Sequence, residues 1–322
     1  MKRRDNSLIK IIGIVLTVAI VSTFLVLAII SDKSDEESYR ILDTVTYNDS
    51  TYIENDSADT VLIVGLDSYD QESSESYTNT ELADFVLLVE INNETKEITP
   101  VHINRDSMVE YDVLGVKGDI VGTEVGQIAL SHSYGDGGLD SLINTKNCVS
   151  NLFKGIDIDY YVQVSMDSVA IVNDDLGGIE VYVEDDFSSV DPSLTINEYH
   201  VLQGEQALTY VRTRASLPDS TNLTRMKRQR EYFRNLFTAF INQSKDDDDL
   251  AIDIFEDIGD SMVSNATNTE LQDLLTKAQD YKLNDSVVLE GEAIKGETYM
   301  EYYIDEDNLM KIVTSIFMKE ID

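Results

Sequence analysis

The sequence predicts an α/β fold of the α+β sandwich type, with a central mixed β-sheet flanked by helices and preceded by a single transmembrane helix. Three observations carry that expectation. Apolar runs rich in β-branched residues, at Val61–Leu66 and Phe85–Ile91, read as buried strands, and Glu97–Ile103 returns as a third. Between and after them, apolar residues recur at helical spacing, which lays helices against the sheet. Near the N-terminus, Ile11 to Ile30 carries no charge, and at about 1.5 Å per residue it reaches across a bilayer core of roughly 30 Å.

The flanks of that run set its direction. Lys2, Arg3 and Arg4 precede it and Asp32, Asp35, Glu36 and Glu37 follow, so residues 1–10 are expected in the cytoplasm and everything after the anchor outside the plasma membrane. A cleaved signal peptide is the competing reading, but the run exceeds an ordinary signal core and no A-x-A site closes it. Residues 31–58 are polar and acidic without periodicity and read as an extracytoplasmic stalk. A domain core is then expected over 59–245, completed by a C-terminal helical part over 246–322.

Composition narrows the function. With 322 residues, 42% of them hydrophobic, the chain can bury a sizeable core and is no disordered acidic tail. A formal net charge of -37 repels phosphate backbones everywhere except at a local patch, which excludes nucleic acid as a partner. The single Cys148 excludes a disulfide-stapled scaffold and a Cys-rich zinc site.

The first strand ends at Asp67 and the second follows Asp84. A turn at Asn92–Lys96 makes the third strand a hairpin partner of the second, and it runs into Asn104-Arg105-Asp106. Pro100 lacks a donor, so the third strand should have a free edge or bulge there. Ionic residues thus gather where open sheets build sites. Asp67 and Asp84 are hard oxygen ligands suited to Mg2+, or else Asp67 caps a turn with Ser68 and Asp84 caps its strand. Arg105 is either functional or a structural ion-pair partner.

Further on, Gly135-Asp136-Gly137-Gly138 matches neither a Walker loop nor a G-x-G-x-x-G fingerprint and reads as a loop into a helix over residues 139–153. Strands at 159–165 and 178–183 flank a short helix around 167–174. His102, His132 and His200 are too scattered for a zinc set and read as ordinary polar residues, and no G-x-S-x-G elbow is present. Beyond Asp246–Asp249, amphipathic segments at 250–262, 270–281 and 308–317 and a strand near 286–290 complete the domain.

The cations are concentrated in one place. Apart from Arg3, Arg4, Arg40 and Arg105, every arginine lies between Arg212 and Arg234, together with Lys227. A helix over 204–211 ends at Arg212 and Arg214, and a second, capped by Thr221, Asn222 or Thr224, presents Met226, Phe233, Leu236, Phe237, Phe240 and Ile241 to the core. Arg225, Lys227 and Arg228 then crowd its already positive first turns, where they repel one another unless an anion or a set of carboxylates neutralises them. Arginine rather than lysine favours phosphate. On that reading, replacing Arg225 and Arg228 leaves the empty protein as stable or more so, whereas an ion-pair network predicts destabilisation.

These residues carry a resemblance. VLIVGLDS at 61–68, ADFVLLVEIN at 83–92, INRDSMVEY at 103–111, DDLGGIEVYV at 174–183 and LQGEQALTYVRTR followed by RMKRQREYF resemble, in order, the blocks of the LytR-CpsA-Psr proteins of bacterial cell envelopes. The resemblance implies a magnesium-dependent phosphotransferase that moves a glycopolymer from a polyprenyl-pyrophosphate carrier to peptidoglycan. It also leaves open a non-catalytic binder of polyprenyl-linked glycans acting in envelope regulation, or a pyrophosphatase on the same lipid.

Carried over by position, the resemblance places Asp67 and Asp84 at the metal, Arg105 and Asp106 in catalysis, and Arg212, Arg214, Arg225, Arg228 and Gln229 around the pyrophosphate. The chain departs from the family pattern where Tyr69 and Leu82 stand near two family arginines, where Asn104 replaces a proline, and where Gln127-Ile128-Ala129 stands for a common Lys-x-Asn.

Overall fold

The computed structural model describes residues 44–68, 78–213 and 222–321, and the chain from Val45 onward forms one compact unit. The expected anchor at 11–30, Tyr69 and Arg214 lie outside the described residues. Among the described residues no helix is long and apolar enough to cross a membrane.

Strands β1 (Val45–Tyr47) and β2 (Ser50–Glu54) make a hairpin. β3 (Ala58–Ser68), β4 (Glu81–Asn92) and β5 (Glu97–Ile103) follow as an antiparallel meander. β6 (Met108–Leu114) and β7 (Ile120–Gln127) pair as a second hairpin. Helix α1 (Leu139–Leu152) brings the chain back to β8 (Tyr160–Ser165), parallel to β3. After α2 (Ser168–Asp175), β9 (Ile179–Val183) pairs with β10 (Glu198–Leu202), and α3 (Glu205–Arg212) and the long α4 (Asn222–Gln243) come next. The remainder is α5 (Leu250–Ile258), β11 (Met262–Ser264), α6 (Asn268–Ala278), β12 (Lys282–Leu283), β13 (Val287–Val288), the hairpin β14 (Gly291–Lys295) and β15 (Met300–Ile304), α7 (Glu306–Ile312) and β16 (Met318–Ile321).

The central seven-stranded sheet has the order β11-β8-β3-β4-β5-β12, with β13 also on β5. Alternation decides its two faces. Leu62, Val64, Val86, Leu88 and Val101 pack with α1 and α7, whereas Val61, Leu87, Val89 and Ile98 turn toward α4 and α6. The result is a mixed sheet sandwiched between helices, as the sequence predicts. β3, β5 and β8 run parallel, so their carboxyl ends share one edge. Pro100 finds the broken edge it needs, because β12 covers Glu97 and Ile98, β13 covers Val101 and His102, and Thr99 and Pro100 fall between them.

Two boundaries need correction. The polar stretch expected to be stalk as far as residue 58 contains β1 and β2, and β2 pairs with β16 at the other end of the chain. Its strands are half-exposed ribbons, so they lack the apolar runs that mark buried strands. The C-terminal part is likewise not simply helical, since six short strands, β11 to β16, alternate with its helices.

Candidate active site

The site begins at the carboxyl edge of the sheet. Asp67, the penultimate residue of β3, is nearly buried and accepts two hydrogen bonds from Arg212 at the end of α3, one of them from Nε at 2.8 Å. Burial pushes the Asp67 carboxyl above its ordinary range, Arg212 opposes that, and the charge of Asp84 adds to it. Asp67 is therefore half of a charge pair at the sheet edge.

Asp84 reaches the same place through a bulge. Gly65 pairs with Phe85 and Leu66 with Ala83, which leaves Asp84 as the extra residue of β4. A side chain on Gly65 would put its Cβ 2.9 Å from that of Phe85, so the close approach at the bulge requires glycine. The Asp84 carboxylate, 3% exposed, forms an ion pair with Arg105 through one oxygen and with Arg225 of α4 through the other, at 3.1 Å. One acid thus binds the loop after β5 to the start of α4.

A second link runs beside it. Asn104 Oδ1 accepts from Asn222 Nδ2 at 2.5 Å and from the Asp106 amide at 3.0 Å, and Asn222 Oδ1 accepts from Arg225 Nε at 3.1 Å. Asp106 lies 3.5 Å from Arg105 Nε and accepts from Gln127 Nε2 at 2.8 Å, while its carbonyl accepts the Tyr302 amide. Sequence reasoning found Arg105 and Asp106 but missed the amides of Asn104, Asn222 and Gln127 that fix them. The departures from the family pattern at Asn104 and Gln127 hinted at two of the three.

The cations of α4 correct the expectation of mutual repulsion. Arg225 and Arg228 are each 4% exposed, and Arg228 pairs with Asp185 at 2.5 Å while donating to the Tyr210 and Thr213 carbonyls and lying over the Phe187 ring. Lys227 pairs with Glu184 and Arg234 with Asp285 at the surface. Guanidiniums this buried require partners, and here they are carboxylates, as the ion-pair alternative holds. Gln229 donates to the Val211 carbonyl at 3.2 Å, and its buried Oε1 has no partner among the described residues.

Beneath the charged edge, between the sheet and helices α4, α5 and α6, lies a cavity of about 340 Å3 walled by side chains such as Ile63, Phe85, Val164, Phe233, Phe237 and Ile254. Its few polar members are Ser165 at the end of β8, Ser168 at the start of α2, and Gln229 and Tyr232 of α4. The cavity explains why Phe233, Leu236 and Phe237, expected in the core, are only half-buried, since they wall it; Ile241, also half-buried, lies outside its lining.

Asp67 and Asp84 sense each other's charge, and as hard donors they suit Mg2+, which takes its remaining oxygens from phosphate and water. Each now faces guanidiniums instead. Among the described residues no group of three or more metal-binding side chains is assembled, so any such site needs the ligand's own oxygens to complete it.

Acids and arginines thus interlock along the carboxyl edge of the sheet of an α+β protein, and Phe85 and Val211, the chain neighbours of Asp84 and Arg212, line the apolar cavity. The LytR_cpsA_psr family profile matches residues 23–317, and the chain belongs to that family. It is 28% identical over 274 residues to the polyisoprenyl-teichoic acid–peptidoglycan teichoic acid transferase TagU of Bacillus licheniformis, covering 82% of this chain and 78% of that one. It is 29% identical over 244 residues to biofilm regulatory protein A of Streptococcus mutans, covering 72% of this chain and 56% of that protein, so it spans about half of that relative. The structure of TagT bound to LI-WTA shares the fold, with a TM-score of 0.61 and 21% identity over 81% of this chain and 90% of that one.

Proposed function

We propose that the chain is a membrane-anchored, extracytoplasmic phosphotransferase that moves a glycopolymer from a polyprenyl-pyrophosphate carrier to peptidoglycan. The names of its TagU relatives support a transferase of this class. The observation that carries the reading is adjacency. Phe85 and Val211 line the cavity, and their chain neighbours Asp84 and Arg212 belong to the charged cluster, so a lipid tail in the one places its pyrophosphate at the other. Residues 11–30 hold the protein in the plasma membrane with its N-terminus in the cytoplasm.

In the resting state the site neutralises itself. An arriving pyrophosphate takes over the guanidiniums of Arg212, Arg225 and Arg105, with Arg214, Arg228 and Gln229 around it, and frees the carboxylates of Asp67 and Asp84, the residues that would hold Mg2+. The bound cation would screen phosphate charge. A peptidoglycan hydroxyl then attacks the glycan-bearing phosphorus and polyprenyl phosphate departs, leaving a phosphodiester. Arg105 neutralises charge that develops at phosphorus, and Asp106, held by Gln127, orients it. Positioning and charge neutralisation suffice for such a displacement.

The test is to incubate the full chain with a short polyprenyl-pyrophosphate glycan, Mg2+ and a peptidoglycan oligomer. A phosphodiester-linked product that Arg105→Ala fails to make is the expected result. Release of glycan phosphate without transfer would make the protein a pyrophosphatase, and binding without turnover would make it a glycan-lipid binder.

A further inference from the structure

Strands β9 and β10 form a two-stranded ribbon with unequal faces. Ile179, Val181 and Val183 turn inward with Leu202 and are buried. The positions that alternate with them are Glu180 and Tyr182 on β9 and Tyr199 and Val201 on β10, with Tyr182 opposite Tyr199 and Glu180 opposite Val201. A ribbon open to water on one side ordinarily carries polar residues there. Here three of the four are aromatic or aliphatic, and Tyr199 is 69% and Val201 51% exposed. The two tyrosine rings lie 5.0 Å apart, tilted at 58°.

Helix α4 holds this surface still. Alongside β9, Glu231 accepts from the Tyr182 amide at 3.0 Å, and Asn235 donates to the Glu180 carbonyl at 2.7 Å. Glu231 is itself fixed, because its other oxygen accepts from the Tyr210 hydroxyl at 3.2 Å. A tyrosine on a fixed strand has few torsions left to lose, so it offers ring area to a ligand at small entropic cost.

The chemistry of the surface matches a sugar. A pyranose has a face of C–H bonds that packs on an aromatic ring, and a rim of hydroxyls that donate to carboxylates. Glu180 and Glu184, both exposed, stand two residues to either side of Tyr182. Carboxylates so placed accept from hydroxyls and repel an anionic chain, which favours uncharged rings.

The surface is also continuous with the charged cluster. Glu184 pairs with Lys227, and the next residue, Asp185, pairs with Arg228, which follows Lys227 on α4. Tyr182 lies about 7 Å before Glu184 along the chain. A glycan a few rings long therefore reaches from the tyrosines to the arginines. Tyr182, Tyr199 and Val201 are absent from the cavity walls, so a lipid tail does not account for them.

We infer that Tyr182, Tyr199 and Val201 form a platform for the acceptor's glycan strand, on which uncharged N-acetylhexosamine rings of peptidoglycan stack while their hydroxyls donate to Glu180 and Glu184. The platform takes the identity of its ligand from the phosphotransferase reading, and adds to that reading the surface that presents the attacking hydroxyl. Tyr199 is a positioning residue, acting on the acceptor and not on phosphorus.

The test uses the full chain in detergent and two probes, a peptide-free peptidoglycan tetrasaccharide and geranylgeranyl pyrophosphate. Calorimetry should show wild type binding the tetrasaccharide with no donor present. Tyr199→Ala should weaken that binding about ten-fold, the scale of one lost ring contact, and Tyr199→Phe, which keeps the ring, should restore it. Affinity for geranylgeranyl pyrophosphate should be the same in all three proteins. In the transfer assay, Tyr199→Ala should raise the KM for the acceptor and not that for the glycan donor. Equal tetrasaccharide binding by wild type and Tyr199→Ala, or none by wild type, would overturn the platform alone. A rise in the donor's KM instead would give the tyrosines to the donor's glycan and overturn the acceptor assignment. A wild type that binds the tetrasaccharide through Tyr199 but ignores geranylgeranyl pyrophosphate would overturn the phosphotransferase reading and leave the platform standing.

Discussion

Asp67 and Arg212 hold each other through two hydrogen bonds, yet 45% of the arginine side chain meets solvent. An exposed partner can swing away, which makes this pair the one most easily opened for a ligand. Asp67→Asn removes the charge that holds Arg212, so the variant should bind geranylgeranyl pyrophosphate several-fold more tightly than wild type in EDTA, while losing the gain that Mg2+ gives wild type. Calorimetry with and without the metal checks both halves. An unchanged affinity in EDTA would show that Arg212 is not competed for.

A second residue sets a pH dependence. Glu90 lies 3% exposed near the end of β4, its Oε1 has no partner among the described residues, and burial pushes its carboxyl up to about 7. Between its ordinary value near 4.5 and about 7 the folded chain keeps a proton that the unfolded chain has lost, so stability falls as pH rises through that window and levels off above it. His102 works in the opposite sense, withdrawing stability as pH falls below 6.5 toward about 3. Comparing Glu90→Gln with wild type isolates the first effect: melting curves should show the variant more stable at pH 8 and close to wild type at pH 4.5.

At the scale of elements, α4 shows what one segment can and cannot reveal. Its apolar face was legible in the spacing of Met226, Phe233, Phe237 and Phe240. The fate of its cations was not, because Asp84 and Asp185 come from β4 and the segment after β9, 141 and 43 residues away. Reasoning from the helix dipole alone therefore predicts repulsion where tertiary structure supplies acids. Arg225→Gln consequently has the opposite expected effect, a loss on the order of 3 kcal/mol, the cost of breaking a buried ion pair. Chemical denaturation of the ligand-free protein measures it, and an unchanged midpoint would restore the repulsion argument. Asp84 was similarly half legible. Its charge at a strand end drew attention, but the bulge that aims it depends on the register of β3 against β4, which no local pattern encodes.

Across the whole molecule, the strands with continuous apolar runs were read in their central parts, because both faces are buried there, while β3 and β4 begin three and four residues before those runs. The ribbons β6–β7 and β14–β15 were not read, since most of β7 and all of β14 are exposed and neither needs to alternate. The same blindness hid β1 and β2, whose pairing with β16 ties the start of the domain to its end. A chain beginning at residue 59 would leave β16 without its partner and Tyr52 absent from the core it packs against. It should melt several degrees below a chain beginning at residue 44, and equal melting temperatures would show the clasp to be dispensable.

The central claim is that the charged sheet edge and the cavity below it serve one ligand, head and tail. Transfer by the full chain should be measured with glycan pyrophosphates carrying progressively longer prenyl tails, in wild type and in Val164→Trp, which fills the cavity. For wild type kcat/KM should climb with tail length until the cavity is full, and Val164→Trp should flatten the climb while leaving the shortest donor's rate near wild type. Rates independent of tail length in wild type would contradict it and separate the cavity from the chemistry at Asp67, Asp84 and Arg105.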